Sequence, residues 1–326
     1  MITKVFVTRK IPDRGIAMLK DHGYEVTVSE KDGVLTKEEL ASALKKGQYH
    51  GVLSLLTDHI DRDVFDAAGK QCKIFANYAV GFDNIDLKLA RERDIMITNT
   101  PDVLTDTVAE HTFALILAIA HRISEAERFT RKGLYKGWGP LLLLGSDVHG
   151  KTLGIVGLGR IGTRVAHFAV RGFDMKVLYY DVKRNEQFEK DYGAVFKPTV
   201  EELLPDADYV SIHVPLLEST KYLINDARFA MMKPSAYLVN TSRGPIVEER
   251  ALLRALRAKT IRGAALDVFE NEPQIDPLLF ELENILFTPH IASATEETRE
   301  KMAEVAAKNI IEALSGRIPP NIVQAR

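Results

Sequence analysis

The chain of 326 residues has one cysteine, Cys72, and so can form no internal disulfide. Without that cross-link the fold must stand on its core, and the pattern suits a reducing compartment. Neither sign of charge is in excess, since 43 Lys and Arg against 45 Asp and Glu leave a formal net charge of -2. That balance supplies no long-range attraction for nucleic acid or an anionic membrane surface, and neither is expected as a partner. Long apolar runs are missing too. The longest, Phe113–Ala120, is bounded by Glu110, His111, His121 and Arg122, and it falls far short of the ~20 residues of a membrane span. No secretory leader is visible, because the apolar start Met1-Ile2-Thr3-Lys4-Val5-Phe6-Val7 runs at once into Arg9, Lys10 and Asp13. A cytoplasmic protein without a metal site is expected, and no fixed-period repeat or low-complexity tract complicates the reading.

The length exceeds what one core usually organises, so two domains are expected. Over the first hundred residues short apolar runs alternate with helical patterns. Strands are expected at Lys4–Thr8, Glu25–Ser29, His50–Leu56, Lys73–Ala76 and Ile95–Thr98. Helices are expected at Pro12–His22, Thr36–Lys46, Asp61–Ala68 and Leu87–Arg93, the second opening with a Thr36/Glu39 capping box. Such alternation implies βαβ units and a parallel sheet. No glycine-rich loop follows the first strand, so a nucleotide belongs elsewhere. A long helical stretch is expected from about Asp102 to Lys132. Its segment Val108–Ala120 is apolar on nearly every face and must be covered, either by its own domain alone or by a second subunit as well. Leu134–Gly145, with Trp138 and the run Leu141–Leu144, fits either a buried loop anchor or a dimer contact or active-site lining.

A second βα series starts at Lys151. Strands are expected at Thr152–Val156, Lys176–Tyr180, Tyr209–His213, Tyr237–Asn240, Gly263–Asp267 and Ile285–Thr288. The tail Ala294–Ser315 reads as one amphipathic helix with Met302, Val305, Ala306, Ile310 and Leu314 in a stripe. After the first of these strands, Gly157-Leu-Gly-Arg-Ile-Gly162 fits G-x-G-x-x-G and leads into a helix. Gly157 permits the tight turn, Gly159 lets a pyrophosphate approach, and Gly162 lets helix and strand pack closely. The helix N-terminus offers N–H groups to the anion. Asp181 ends the next strand, 181 − 162 = 19 residues on, where an acid accepts from the adenosine ribose. A carboxylate there repels a 2′-phosphate, which favours NAD over NADP. Lys183 and Arg184 lie near enough to weigh the other way.

Ligands of open α/β sheets bind at the carboxyl ends of the strands. Past those ends stand His213, Arg243, Asp267, Glu272 and His290. An Arg, a Glu and a His on an edge that also holds a dinucleotide are what hydride chemistry on a 2-oxo acid requires. Arg243 can bind the carboxylate and polarise the ketone. His290 would protonate the developing alkoxide, and Glu272 would hold the far ring nitrogen. His213 is the rival acid, although its Val-Pro context suits a wall of the cofactor site.

Six segments together resemble the D-isomer-specific 2-hydroxyacid dehydrogenases over essentially the whole chain. They are Tyr78-Ala-Val-Gly-Phe-Asp-Asn-Ile-Asp86, Gly157–Gly162, His213-Val-Pro215, Asn240-Thr-Ser-Arg-Gly244, Leu266-Asp-Val-Phe-Glu-Asn-Glu-Pro273 and Thr288-Pro-His-Ile-Ala-Ser-Ala-Thr295. The resemblance implies two doubly wound parallel-sheet α/β domains with a cleft between: a flavodoxin-like substrate domain, 1–99 plus 291–326, and a Rossmann cofactor domain, 100–290. It implies an Arg243/Glu272/His290 catalytic trio, and substrate-carboxylate binding by backbone N–H groups around Val80 and Gly81. It extends the cofactor contacts to Thr107, Arg160, Ile161, His213, Pro215, Thr241, Asp267 and Ala292, and it implies a homodimer joined by the cofactor domain. Asn99-Thr-Pro-Asp-Val-Leu-Thr-Asp-Thr107 and Gly137-Trp-Gly-Pro140 look most like glyoxylate/hydroxypyruvate reductases, many of which differ from this chain at Asp181. A D-lactate or other D-2-hydroxyacid dehydrogenase is the second enzyme reading, and an NAD-sensing, corepressor-like binding protein the reading from another class. Glu272 disfavours the formate branch, which resembles this one but has Gln there. An end at Arg326 leaves no room for the regulatory domain of a phosphoglycerate dehydrogenase.

Overall fold

The structure is a computed structural model and describes residues 2–323. The chain forms two compact units, Met1–Leu104 with Ser293–Arg326, and Thr105–Ala292.

The first unit is built on β1 (Lys4–Val7), β2 (Glu25–Val28), β3 (Gly51–Ser54), β4 (Ile74–Asn77) and β5 (Met96–Thr98). All pairings are parallel, in the order β2-β1-β3-β4-β5, which is the flavodoxin-like doubly wound order. Strands β3 and β4 are buried along their whole length, as strands covered on both faces must be. The Thr36 capping box forms, with Glu39 N–H donating to Thr36 Oγ1 at 3.2 Å and Thr36 N–H to Glu39 Oε2 at 2.7 Å. The last helix, Glu296–Leu314, buries Met302, Ala306 and Ile310 together with Ala303, Ala307 and Ala313. Val305 and Leu314, expected on that stripe, stay partly exposed.

The second unit is built on β6 (Thr152–Val156), β7 (Lys176–Tyr180), β8 (Val195–Phe196), β9 (Tyr209–Ile212), β10 (Tyr237–Asn240), β11 (Gly263–Leu266) and β12 (Ile285–Phe287). Its order is β12-β11-β10-β9-β6-β7-β8, again all parallel. Strand order reverses at β6, which lies between β9 and β7. Such a switch point opens a crevice at the carboxyl edge. The expected helix over Asp102–Lys132 is in fact two, Thr105–Ala120 and Ile123–Arg131. Arg122 breaks it with a left-handed φ of 55°, and its guanidinium grips Glu125 with two bonds of 2.7 and 2.6 Å.

The buried-anchor reading of Leu134–Gly145 is corrected. Trp138 is 84% exposed and Leu141 80%, with Leu142 and Leu144 also exposed. Among the described residues no helix is long and apolar enough to cross a membrane, and none of their His, Cys, Asp or Glu side chains cluster to hold a metal.

Candidate active site

The second unit sets the glycine loop, Asp181, His213, Arg243, Asp267, Glu272 and His290 after the carboxyl ends of six strands of one sheet. The loop follows β6. Gly157 has a φ of 100°, and a Cβ there would lie 2.8 Å from the backbone of His213 and Val214 at the end of β9. A Cβ on Gly162 would lie 2.2 Å from the Gly157 carbonyl oxygen. Both positions therefore admit only glycine. A Cβ on Gly159, by contrast, would meet nothing within 4 Å. Gly159 caps the helix Arg160–Phe173, and no side chain satisfies its first turn. An open glycine beneath an uncapped helix start is a cradle that fits a dinucleotide pyrophosphate. Asp181 is anchored to the loop, its Oδ2 accepting the Leu158 N–H at 2.7 Å and its Oδ1 the Lys183 N–H at 3.2 Å. Arg184 turns away to Glu189, in a bidentate pair of 2.8 and 2.7 Å, and Tyr179 Oη donates to the same carboxylate at 2.8 Å.

The other half of the edge carries the candidate catalytic groups. His290 Nδ1 lies 2.8 Å from Glu272 Oε2. A carboxylate only accepts, so Nδ1 is the donor in this contact and Nε2 stays outside it. The second Glu272 oxygen accepts the Phe269 N–H at 3.0 Å. His290 is half-buried and has a left-handed φ of 55°, a backbone state that costs roughly 1–3 kcal/mol and collects at functional positions. It is held there by its N–H, which donates to the carbonyls of Asp267 and Thr288.

Asp267 acts from beneath. It is fully buried, and its carboxylate accepts from Thr288 Oγ1 at 2.6 Å and from the N–H groups of Ile291 and Ala292 at 2.9 and 2.8 Å. Burial raises its pKa, but the hydrogen bonds from His111, Thr288, Ile291 and Ala292 outweigh it and hold the carboxyl below its ordinary value. Asp267 thus shapes the 288–292 segment around the His290 backbone. His111, which completes this cluster with Nε2 3.1 Å from Thr288 Oγ1, was readable only as a polar residue at the edge of an apolar helix.

Arg243 follows β10. Its carbonyl accepts the Asn240 amide at 2.9 Å, and its Nη1 donates to the Ser242 carbonyl at 2.8 Å. A Cβ on the next residue, Gly244, would overlap the Phe269 carbonyl at 1.9 Å, so the Arg243 turn is pressed against the segment that carries Glu272. His213 bonds to Ser211 Oγ at 2.8 Å through Nε2, and burial pushes its pKa down to about 3. A neutral ring at that place cannot serve as the acid.

Of the other expected cofactor contacts, Thr107 lies in the first turn of the helix Thr105–Ala120, Arg160 and Ile161 in the first turn after Gly159, and Pro215 just past His213. Thr241 Oγ1 bonds to Thr112 Oγ1 at 2.8 Å. Val80 and Gly81 belong to the first unit, where they follow β4. The Val80 carbonyl accepts from Asn99 Nδ2 at 2.8 Å and the Gly81 carbonyl from Asn77 Nδ2 at 2.9 Å. In a trans peptide the N–H points opposite to the carbonyl, so these bonds aim the Gly81 and Phe82 N–H groups the other way.

The family described as "D-isomer specific 2-hydroxyacid dehydrogenase, NAD binding domain" matches residues 113–292. The chain is 49% identical to a glyoxylate reductase of Korarchaeum cryptofilum over 326 residues, covering 99% of this chain and 96% of that protein. A Thermus thermophilus protein of known structure is 44% identical, with a TM-score of 0.92 over 99% of this chain and 100% of that one. The NADPH-dependent glyoxylate/hydroxypyruvate reductase of Sinorhizobium meliloti, solved with NADP and malonate, is 30% identical, with a TM-score of 0.85 over 99% and 97%.

Proposed function

The chain belongs to the D-isomer-specific 2-hydroxyacid dehydrogenases, and from that premise we propose that it reduces glyoxylate or hydroxypyruvate to the 2-hydroxy acid with NADH. The observation that carries the chemistry is the 2.8 Å contact of His290 Nδ1 with Glu272, on the same sheet edge as the glycine loop. The bound nicotinamide supplies the hydride. Arg243 binds the substrate carboxylate and draws electron density from the ketone oxygen. His290, aligned by Glu272, donates a proton from Nε2 to the oxygen as negative charge develops there. Asp267 keeps the His290 segment in register. Loss of reduced-nicotinamide absorbance with glyoxylate, hydroxypyruvate and pyruvate tests the reading. Turnover is expected with the first two, and no turnover with any 2-oxo acid would overturn it in favour of a nucleotide-sensing protein.

The choice of NADH rests on Asp181 and on Arg184. A carboxylate at the ribose edge repels a 2′-phosphate, and like charges brought together cost several kcal/mol. Arg184, which has the charge to offset this, is occupied by Glu189. Asp181→Ser is therefore expected to raise the ratio of kcat/KM for NADPH over NADH at least about tenfold, or ~1.4 kcal/mol. An unchanged ratio would remove Asp181 from the discrimination.

A homodimer is proposed as the working form. An apolar stretch as exposed as Trp138, Leu141, Leu142 and Leu144 is a surface that monomers seldom leave open. Sedimentation should give twice the chain mass of 36.4 kDa, and a species of single-chain mass at micromolar concentration would overturn the proposal. A cytoplasmic setting suits the lone Cys72, which is buried.

A further inference from the structure

Two acidic residues outside the proposed machinery are wired to it. Glu249 opens the helix Glu249–Arg257 and is only 7% exposed. Its Oε1 accepts the Glu270 N–H at 2.6 Å, while its own N–H donates to Glu270 Oε2 at 3.1 Å. Tyr222 Oη donates to the other Glu270 oxygen at 2.5 Å. This reciprocal clamp fastens residue 270 to the start of a helix. The neighbouring Phe269 N–H donates to Glu272 Oε1 at 3.0 Å, and Glu272 Oε2 holds His290 at 2.8 Å. One chain of contacts therefore runs from Glu249 through the 269–272 turn to the imidazole. Around Glu272 the chain makes a turn closed by the Gln274 N–H, which donates to the Asn271 carbonyl at 2.8 Å, and the Glu249 clamp fixes where that turn sits.

We propose that Glu249 is a positioning residue for the proton donor, which it serves by clamping Glu270 and so fixing the turn that aims Glu272 at His290. The inference rests on the reading of His290 as that donor. The clamp works against charge. Burial pushes the Glu249 carboxyl up, the Glu270 N–H opposes this, and the charges of Glu270, Asp276 and Glu272 add to the rise. A neutral amide of the same shape keeps the acceptor and relieves the repulsion. Glu249→Gln should therefore fold at least as well, and the acceptor rather than the charge is what the turn requires.

The experiment compares kcat and KM for glyoxylate reduction in Glu249→Ala, Glu249→Gln, Glu272→Ala and the Glu249→Ala/Glu272→Ala double variant. Glu249→Ala is expected to lower kcat about tenfold with the KM for the nicotinamide cofactor unchanged, a modest share of what an ångström of misplacement costs. Glu249→Gln should restore kcat to within about twofold. With Glu272 already removed, the loss of Glu249 should cost less than about twofold, because its effect passes through that residue. Normal kcat in Glu249→Ala, or an equal loss in the Glu272→Ala background, would overturn the proposal. If Glu249→Ala does not fold, Glu249→Asp, too short to reach the Glu270 N–H, takes its place with the same expectations. Impairment by His290→Ala without impairment by Glu249→Ala defeats the positioning role alone. Normal turnover by His290→Ala defeats both readings.

Discussion

His290→Ala is expected to lower kcat for 2-oxo acid reduction by about a hundredfold or more, the usual worth of a positioned general acid. Hydride addition to a ketone leaves an alkoxide, and without a donor that charge must wait for a proton from water. No neighbouring group takes over. His213, the other imidazole at a strand end of this sheet, is neutral and bonded to Ser211, with its pKa driven down to about 3. Glu272, once freed of its imidazole, is still a carboxylate held by the Phe269 N–H. Alanine tolerates a φ of 55° less well than histidine does, so His290→Asn is the better control, because asparagine enters the left-handed region readily and carries no acidic proton. Both variants should lose kcat alike while binding the cofactor normally. Near-normal turnover by either would remove His290 from the acid role.

Arg243→Ala is expected to raise the KM for the 2-oxo acid and to lower kcat together, each by tenfold or more in rough terms. The guanidinium is asked to do two things, to hold a carboxylate and to stabilise charge that grows on the ketone oxygen. The first is felt in the ground state and the second only in the transition state. Arg243→Lys should recover little, since an ammonium cannot reproduce the planar fork. An effect confined to KM would mean that Arg243 only binds. The site should survive the substitution, because the Asn240 amide still holds the turn at the residue 243 carbonyl and Gly244 still packs on Phe269.

What the sequence revealed of this site has a physical pattern. Arg243, Asp267 and His290 stand directly after short apolar strands, so the strand pattern and the position of the chemistry are read together. Gly157–Gly162 was legible for the same reason, with Asp181 as a second mark at a fixed distance. Strand β8 left no mark, since two residues, Val195 and Phe196, cannot display a period. The break at Arg122 was equally silent, because neither glycine nor proline accompanies it and its left-handed φ comes from the surroundings. Glu249 and Glu270 are 21 residues apart in the chain, and only the fold makes them a pair. The exposure of Leu141 and its neighbours could not be read at all. An apolar run looks the same whether its own chain covers it or another does.

The strand order has a consequence for how such an enzyme can change. Arg243, Glu272 and His290 hang from the β10–β12 side of the sheet, whereas the glycine loop and Asp181 hang from β6 and β7. Each group is braced by its own local bonds, Asp181 by the Leu158 N–H and His290 by Asp267 and Glu272. On the proposed function, electron donor and electron acceptor would be chosen by separate blocks of a common scaffold. Substitutions that retune one block should leave the other's preference almost intact, so that the two choices can be inherited, or engineered, independently.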